Sequence, residues 1–145
     1  MKRSGWFVAM LGLLPLGCGK ETGRVPFVAE GAAENTMTLA AGDVHFWTDI
    51  DIEWEGNAAL HYKIDLLQGG AVVASATCNP LARLSVRTGW VETNLGDRHS
   101  RRGNGKMDCT LNLTTAGATT VRAELAFSKK PATLTLKKAD LAVRQ

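Results

Sequence analysis

Residues 46–55 alternate without a break: Phe46, Thr48, Ile50, Ile52 and Trp54 against Trp47, Asp49, Asp51, Glu53 and Glu55. A period of two puts the two sets on opposite faces of an extended strand, whereas a helix would mix them. The pattern returns in residues 60–66, with Leu60, Tyr62, Ile64 and Leu66 against His61, Lys63 and Asp65. Gly56-Asn57 interrupts the two runs as a hairpin turn does. A one-residue slip would turn a whole strand inside out, so the apolar sets must share a face. That condition pairs Trp54 with Leu60, Ile52 with Tyr62 and Ile50 with Ile64. It sets Glu53 opposite His61 and Asp51 opposite Lys63, pairs that contribute roughly 0.2–1 kcal/mol each. The like charges Asp49 and Asp65 meet at the open end.

The rest of the chain is built from the same material. Phe27-Val28 and residues 36–40 are the expected first strands, with a loop over 31–35. Gln68-Gly69-Gly70 turns into a run over 71–78, which Asn79-Pro80 ends because proline cannot donate to a ladder. Ala82, Leu84 and Val86 form the apolar face of the next run. Leu111 and Leu113 follow, then Val121, Ala123, Leu125 and Phe127, then Leu134 and Leu136, then Leu141 and Val143. Ala116-Gly117 and Lys129-Lys130-Pro131 separate them. Short alternating runs at this turn spacing predict an all-β fold, an antiparallel β-sandwich of about eight to ten strands, immunoglobulin-like or jelly-roll-like. No stretch has helical periodicity, and no internal repeat is present.

Ahead of this domain, Lys2 and Arg3 precede an apolar run from Trp6 to Leu16. That run is shorter than the roughly 20 residues a membrane span needs, and it fits the core of a secretory signal peptide. Leu14-Pro15-Leu16-Gly17-Cys18 ends it. A small residue directly before a cysteine at this place resembles the signal of bacterial lipoproteins. The resemblance covers only these first residues, and Pro15 stands where the family usually carries leucine. It implies removal of residues 1–17, a diacylglyceryl group on the Cys18 thiol, and a palmitate-type acyl chain on the new amino terminus. Several acyl chains on one protein make a stable membrane anchor. The residues after Cys18 are Gly19 and Lys20, not the aspartate that resembles a signal for retention in the inner membrane. The outer membrane is therefore the expected address. Residues 18–25 are expected to be the lipidated cysteine and a tether, and 26–145 the sandwich.

The formal net charge is +3, and Lys2 and Arg3 supply two of those charges. The mature domain is close to neutral and lacks the basic footprint of a nucleic-acid binder. Cys78 and Cys109 both fall in the inward register of expected strands and would lie in a disulfide-permitting compartment, so a buried bridge is expected. The three histidines have no ligand spacing around them, and no metal or cofactor is expected.

Two features point towards binding. Residues 87–106 lose alternation, collect glycines, and cluster Arg98, Arg101, Arg102 and Lys106 around His99. A long loop on a rigid scaffold is a usual place for a contact, and these four side chains are the candidate contact with another envelope protein. Trp47 lies in the wet-face register with Asp49 and Asp51, beside His61 across the expected hairpin. These four form a candidate ligand face for polysaccharide or peptidoglycan. Calcium at Asp49 and Asp51 would lack a recognisable ligand spacing. No Gly-x-Ser-x-Gly or phosphate loop is present, and carboxylates on an open wet face have nothing to raise the pKa of an acid. The chain is therefore expected to be a non-catalytic, lipid-anchored envelope module that contacts a protein. A carbohydrate-binding sandwich is the alternative.

Overall fold

The computed structural model describes residues 19–145. The expected signal peptide and the expected lipidated Cys18 lie outside the described residues. Nine strands follow in order: β1 Glu21–Val25, β2 Gly31–Leu39, β3 Gly42–Glu55, β4 Ala59–Gln68, β5 Ala71–Cys78, β6 Leu84–Leu95, β7 Arg98–Leu113, β8 Gly117–Lys129 and β9 Thr133–Arg144. They form a five-stranded sheet in the order β1-β9-β3-β7-β6 and a four-stranded sheet in the order β2-β8-β4-β5. All pairings are antiparallel. The two sheets close over one core, a β-sandwich.

The alternation in β3 and β4 buries the sets it selects. Phe46, Ile50, Ile52 and Trp54 face Leu60, Tyr62, Ile64 and Leu66 in a single core with Val121, Ala123, Leu125, Leu141 and Val143. The two strands do not pair, however. β3 lies between β7 and β9, and β4 lies between β8 and β5. Gly56, at φ +84°, carries the chain from one sheet to the other. The expected pairs Trp54–Leu60, Glu53–His61 and Asp51–Lys63 are therefore absent. Alternation dictates which face of a strand is buried. Two strands can satisfy it across a core as well as side by side.

Tyr62 ties the layers together. Its hydroxyl donates to the Ala139 carbonyl at 2.8 Å and lies 3.0 Å from Thr48 Oγ1, so one buried β4 side chain holds both β3 and β9. Burial pushes the Tyr62 phenol well above its ordinary pKa. The Cys78–Cys109 disulfide is present and joins β5 of one sheet to β7 of the other. Cys78 is buried and Cys109 half-buried.

Three other expectations change. Residues 21–25, expected as tether, pair as β1 with the last strand. Residues 31–35, expected as a loop, belong to β2, while Phe27 is a buried residue outside any strand. Residues 87–106 are not a loop. β6 and β7 form a long hairpin with Leu95 opposite Arg98, closed by Gly96-Asp97 with Gly96 at φ +60°. Irregular register between Leu84 and Val86 and between Thr88 and Val91 breaks the alternation that would have revealed the strands.

Candidate interaction face

The outer surface of the five-stranded sheet carries three parallel columns near the β6–β7 arm. Cross-strand partners share a face, so the register assigns each side chain. On β7, Arg98, Arg102 and Lys106 point outward. On β3 their partners are Glu55, Asp51 and Trp47. On β6 their partners are Leu95, Val91 and Val86. A basic column thus runs between an acidic one and an apolar one. The apolar side chains are open to solvent, with Leu95 71% and Val91 49% exposed. Arg98 is paired to Glu55 at 3.0 Å, whereas Arg102 and Lys106 make no ion pair among the described residues. A shallow depression of about 330 Å³ lies at the far end of this face, between Thr133, Glu53, Arg98 and Leu95.

Arg101, expected with the other three bases, is on the opposite face. Odd and even positions of a strand cannot share a side. Arg101 stands opposite Ile52 and His99 opposite Trp54. The Trp54 ring is stacked by His99 at 5.2 Å and covered by the Arg101 guanidinium at 5.2 Å. Asn94 Oδ1 accepts from Arg101 Nη1 at 3.0 Å and lies 2.7 Å from His99 Nδ1. Glu92 lies 3.5 Å from Arg101 and accepts from Trp90 Nε1 at 2.8 Å. This network stiffens the arm where its inner face leaves the core. Gly103 permits the close crossing, since a Cβ there would lie 2.5 Å from the Gly89 carbonyl oxygen and 2.7 Å from Trp90 Cα.

The expected ligand face of Trp47, Asp49, Asp51 and His61 does not exist as one surface. Trp47 keeps its outward register but is only 4% exposed. The Arg144 guanidinium lies 4.2 Å from its ring centroid and helps to cover it. His61 belongs to β4, on the outer face of the other sheet. Asp51 stands between Arg102 and Lys138. Asp49 is opposed by Asp140, and Arg24 Nη1 reaches both, at 3.0 Å and 3.1 Å. Lys138 Nζ adds a contact to Asp49 at 3.0 Å. Burial pushes the Asp49 carboxyl up, but hydrogen bonds from Arg24 and Lys138 outweigh it, and the pKa falls below the usual carboxylate value. Hydrogen bonding to Glu21 is the largest cause raising Arg24, with Asp49 and Asp140 adding to it. Each of these carboxylates has a cation within the cluster.

Two participants had no sequence signal. Arg144 covers a tryptophan 97 positions away, and Arg24 comes from a segment that reads as tether. The apolar column was hidden by the two irregularities in β6. Among the described residues no three His, Cys, Asp or Glu side chains gather as a metal-binding group. No protein-family model matches the chain, and no curated protein matches it.

Proposed function

We propose that the chain is a lipid-anchored protein of the bacterial cell envelope, held in the outer membrane through Cys18, and that it works without catalysis by docking on another envelope protein. The observation that carries the docking half is the pair of columns on the β6–β7 arm. Arg102 and Lys106 make no ion pair among the described residues, although Asp51 stands across from Arg102, and Val91 and Val86 stand beside them. Arginine beside apolar side chains is typical interface chemistry, while charges whose needs are met internally contribute little. Gly17-Cys18 at the end of an apolar run supports the anchor. The disulfide fits an exported protein.

The polysaccharide reading has less support. Its platform, Trp47, lies beneath Arg144, and the Trp90 indole N–H is already bonded to Glu92. Sugar stacking needs an open aromatic face.

The two halves are tested together. Intact mass of the mature protein is expected to show acyl chains on Cys18, and Cys18→Ser to abolish them and release the protein from membranes. Capture from detergent-solubilised membranes is expected to recover one acidic envelope protein, with recovery falling as salt rises. An unacylated mature protein contradicts the anchor. Recovery of no acidic protein, or recovery insensitive to salt, contradicts docking through the basic column.

A further inference from the structure

The tip of the docking arm, where Leu95 faces Arg98, and the point of membrane attachment lie at opposite ends of the sandwich. Lys20 N donates to the Gln145 carbonyl at 2.9 Å, and Gln145 N donates to the Lys20 carbonyl at 3.2 Å. The Gln145 side chain bonds Ala40 through both its oxygen and its nitrogen, each at 2.8 Å. A Cβ on Gly19 would lie 2.5 Å from the Gln145 carbonyl carbon. The chain is thus fixed to the sheet from Lys20 onward. Register carries this end across the molecule: Glu21 faces Arg144, Arg144 faces His45, and His45 faces Thr110. The other end holds Glu55, Arg98 and Thr133. β7 connects the two ends with 16 residues. At about 3.3 Å per residue it spans roughly 50 Å.

We infer that the domain stands upright on its anchor, and that the arm meets its partner well outside the headgroup layer. This rests on the anchored docking module proposed above. The slack between Cys18 and the sheet is the single residue Gly19, about 3.5 Å of chain. The segment Arg98–Arg102 then lies on the order of 20–35 Å from the attachment end. Electrostatic attraction is screened beyond about 8–10 Å at ordinary ionic strength. With the domain upright, anionic headgroups are out of range as the counter-charge for Arg102. An acidic surface on the extramembrane part of a neighbouring protein can be that counter-charge. The apolar column Leu95, Val91 and Val86 favours the same occupant, because a protein surface offers apolar groups beside its carboxylates. The contact is an elongated stripe along the outer half of the arm, Arg98 and Arg102 on β7 beside Leu95 and Val91 on β6.

The test uses the full acylated protein in vesicles whose headgroups carry an energy acceptor. A fluorescent amino acid replaces Thr110 in one variant and Leu95 in the other. Transfer is expected to be severalfold stronger from position 110 than from position 95. Equal transfer from both positions overturns the upright geometry. In native membranes, a photo-crosslinking amino acid at Leu95 or Val91 is expected to join an acidic protein, and one at Thr110 to join none. Adducts to lipid at Leu95, or protein adducts at Thr110 alone, overturn the assignment of the contact. Intact mass separates these failures from failure of the anchor: a protein without acyl chains never reaches the vesicles, and the anchored reading then falls first.

Discussion

Asp49 and Asp140 face each other across β3 and β9, and one guanidinium, that of Arg24, reaches a carboxylate oxygen of each. Like charges directly opposite in a sheet repel. Here they are the means by which a five-residue edge strand is held. The 36% exposed Arg24 side chain keeps part of the effect screened by water. Arg24→Ala is expected to cost about 1–2 kcal/mol in denaturant unfolding, since it leaves the two carboxylates facing without a shared cation. Asp140→Asn in that background is expected to recover part of the loss.

Acid weakens the same cluster, and the sign follows from Asp49. Its folded-state pKa is lower than its unfolded one, so the unfolded chain binds the proton more readily. The stabilisation is complete above the unfolded value, near pH 4, and disappears as pH falls through the folded value below that. Thermal unfolding between pH 6 and pH 2 is expected to show this loss, and Asp49→Asn is expected to flatten it.

Tyr62 sets the opposite limit. Its raised pKa stabilises the neutral phenol in the fold, so its contribution is complete below about pH 10 and is lost as pH rises further. Tyr62→Phe keeps the ring and removes the hydroxyl that bonds Ala139 and Thr48. It is expected to cost about 1–2 kcal/mol by chemical denaturation, because the buried carbonyl of Ala139 loses its partner.

The disulfide joins positions 31 apart. Cys78→Ala with Cys109→Ala is expected to lower stability by about 3–4 kcal/mol through the wider freedom of the unfolded chain. The comparison is urea unfolding of the oxidised protein against the double variant.

Which faces are buried was legible in the sequence; which strands are neighbours was not. Ile50, Ile52 and Trp54 reach the core the alternation assigns them, yet they meet β4 across that core. Strand pairing is set by long-range contacts that a local pattern does not encode. Trp47 shows the same limit, since its outward register was readable and its cover, Arg144, was not. In the arm, irregular pairing at Ser85 and at Gly89-Trp90 broke the period, so a strand resembled a loop. Grouping Arg101 with Arg98, Arg102 and Lys106 followed from that misreading, because a loop has no faces to separate them.

The separation of those bases gives the most direct measurement. Arg102→Gln with Lys106→Gln removes the charge of the outward basic column alone, while Arg101→Ala removes the cation from the Trp54 ring. Capture from native membranes and a melting curve would be run on both proteins. The outward pair is expected to lose the acidic partner at an unchanged melting temperature. Arg101→Ala is expected to melt earlier and still to recover the partner in proportion to the folded protein present. Full recovery with the outward pair, or loss with Arg101→Ala at unchanged stability, would contradict docking through the outer face of β7.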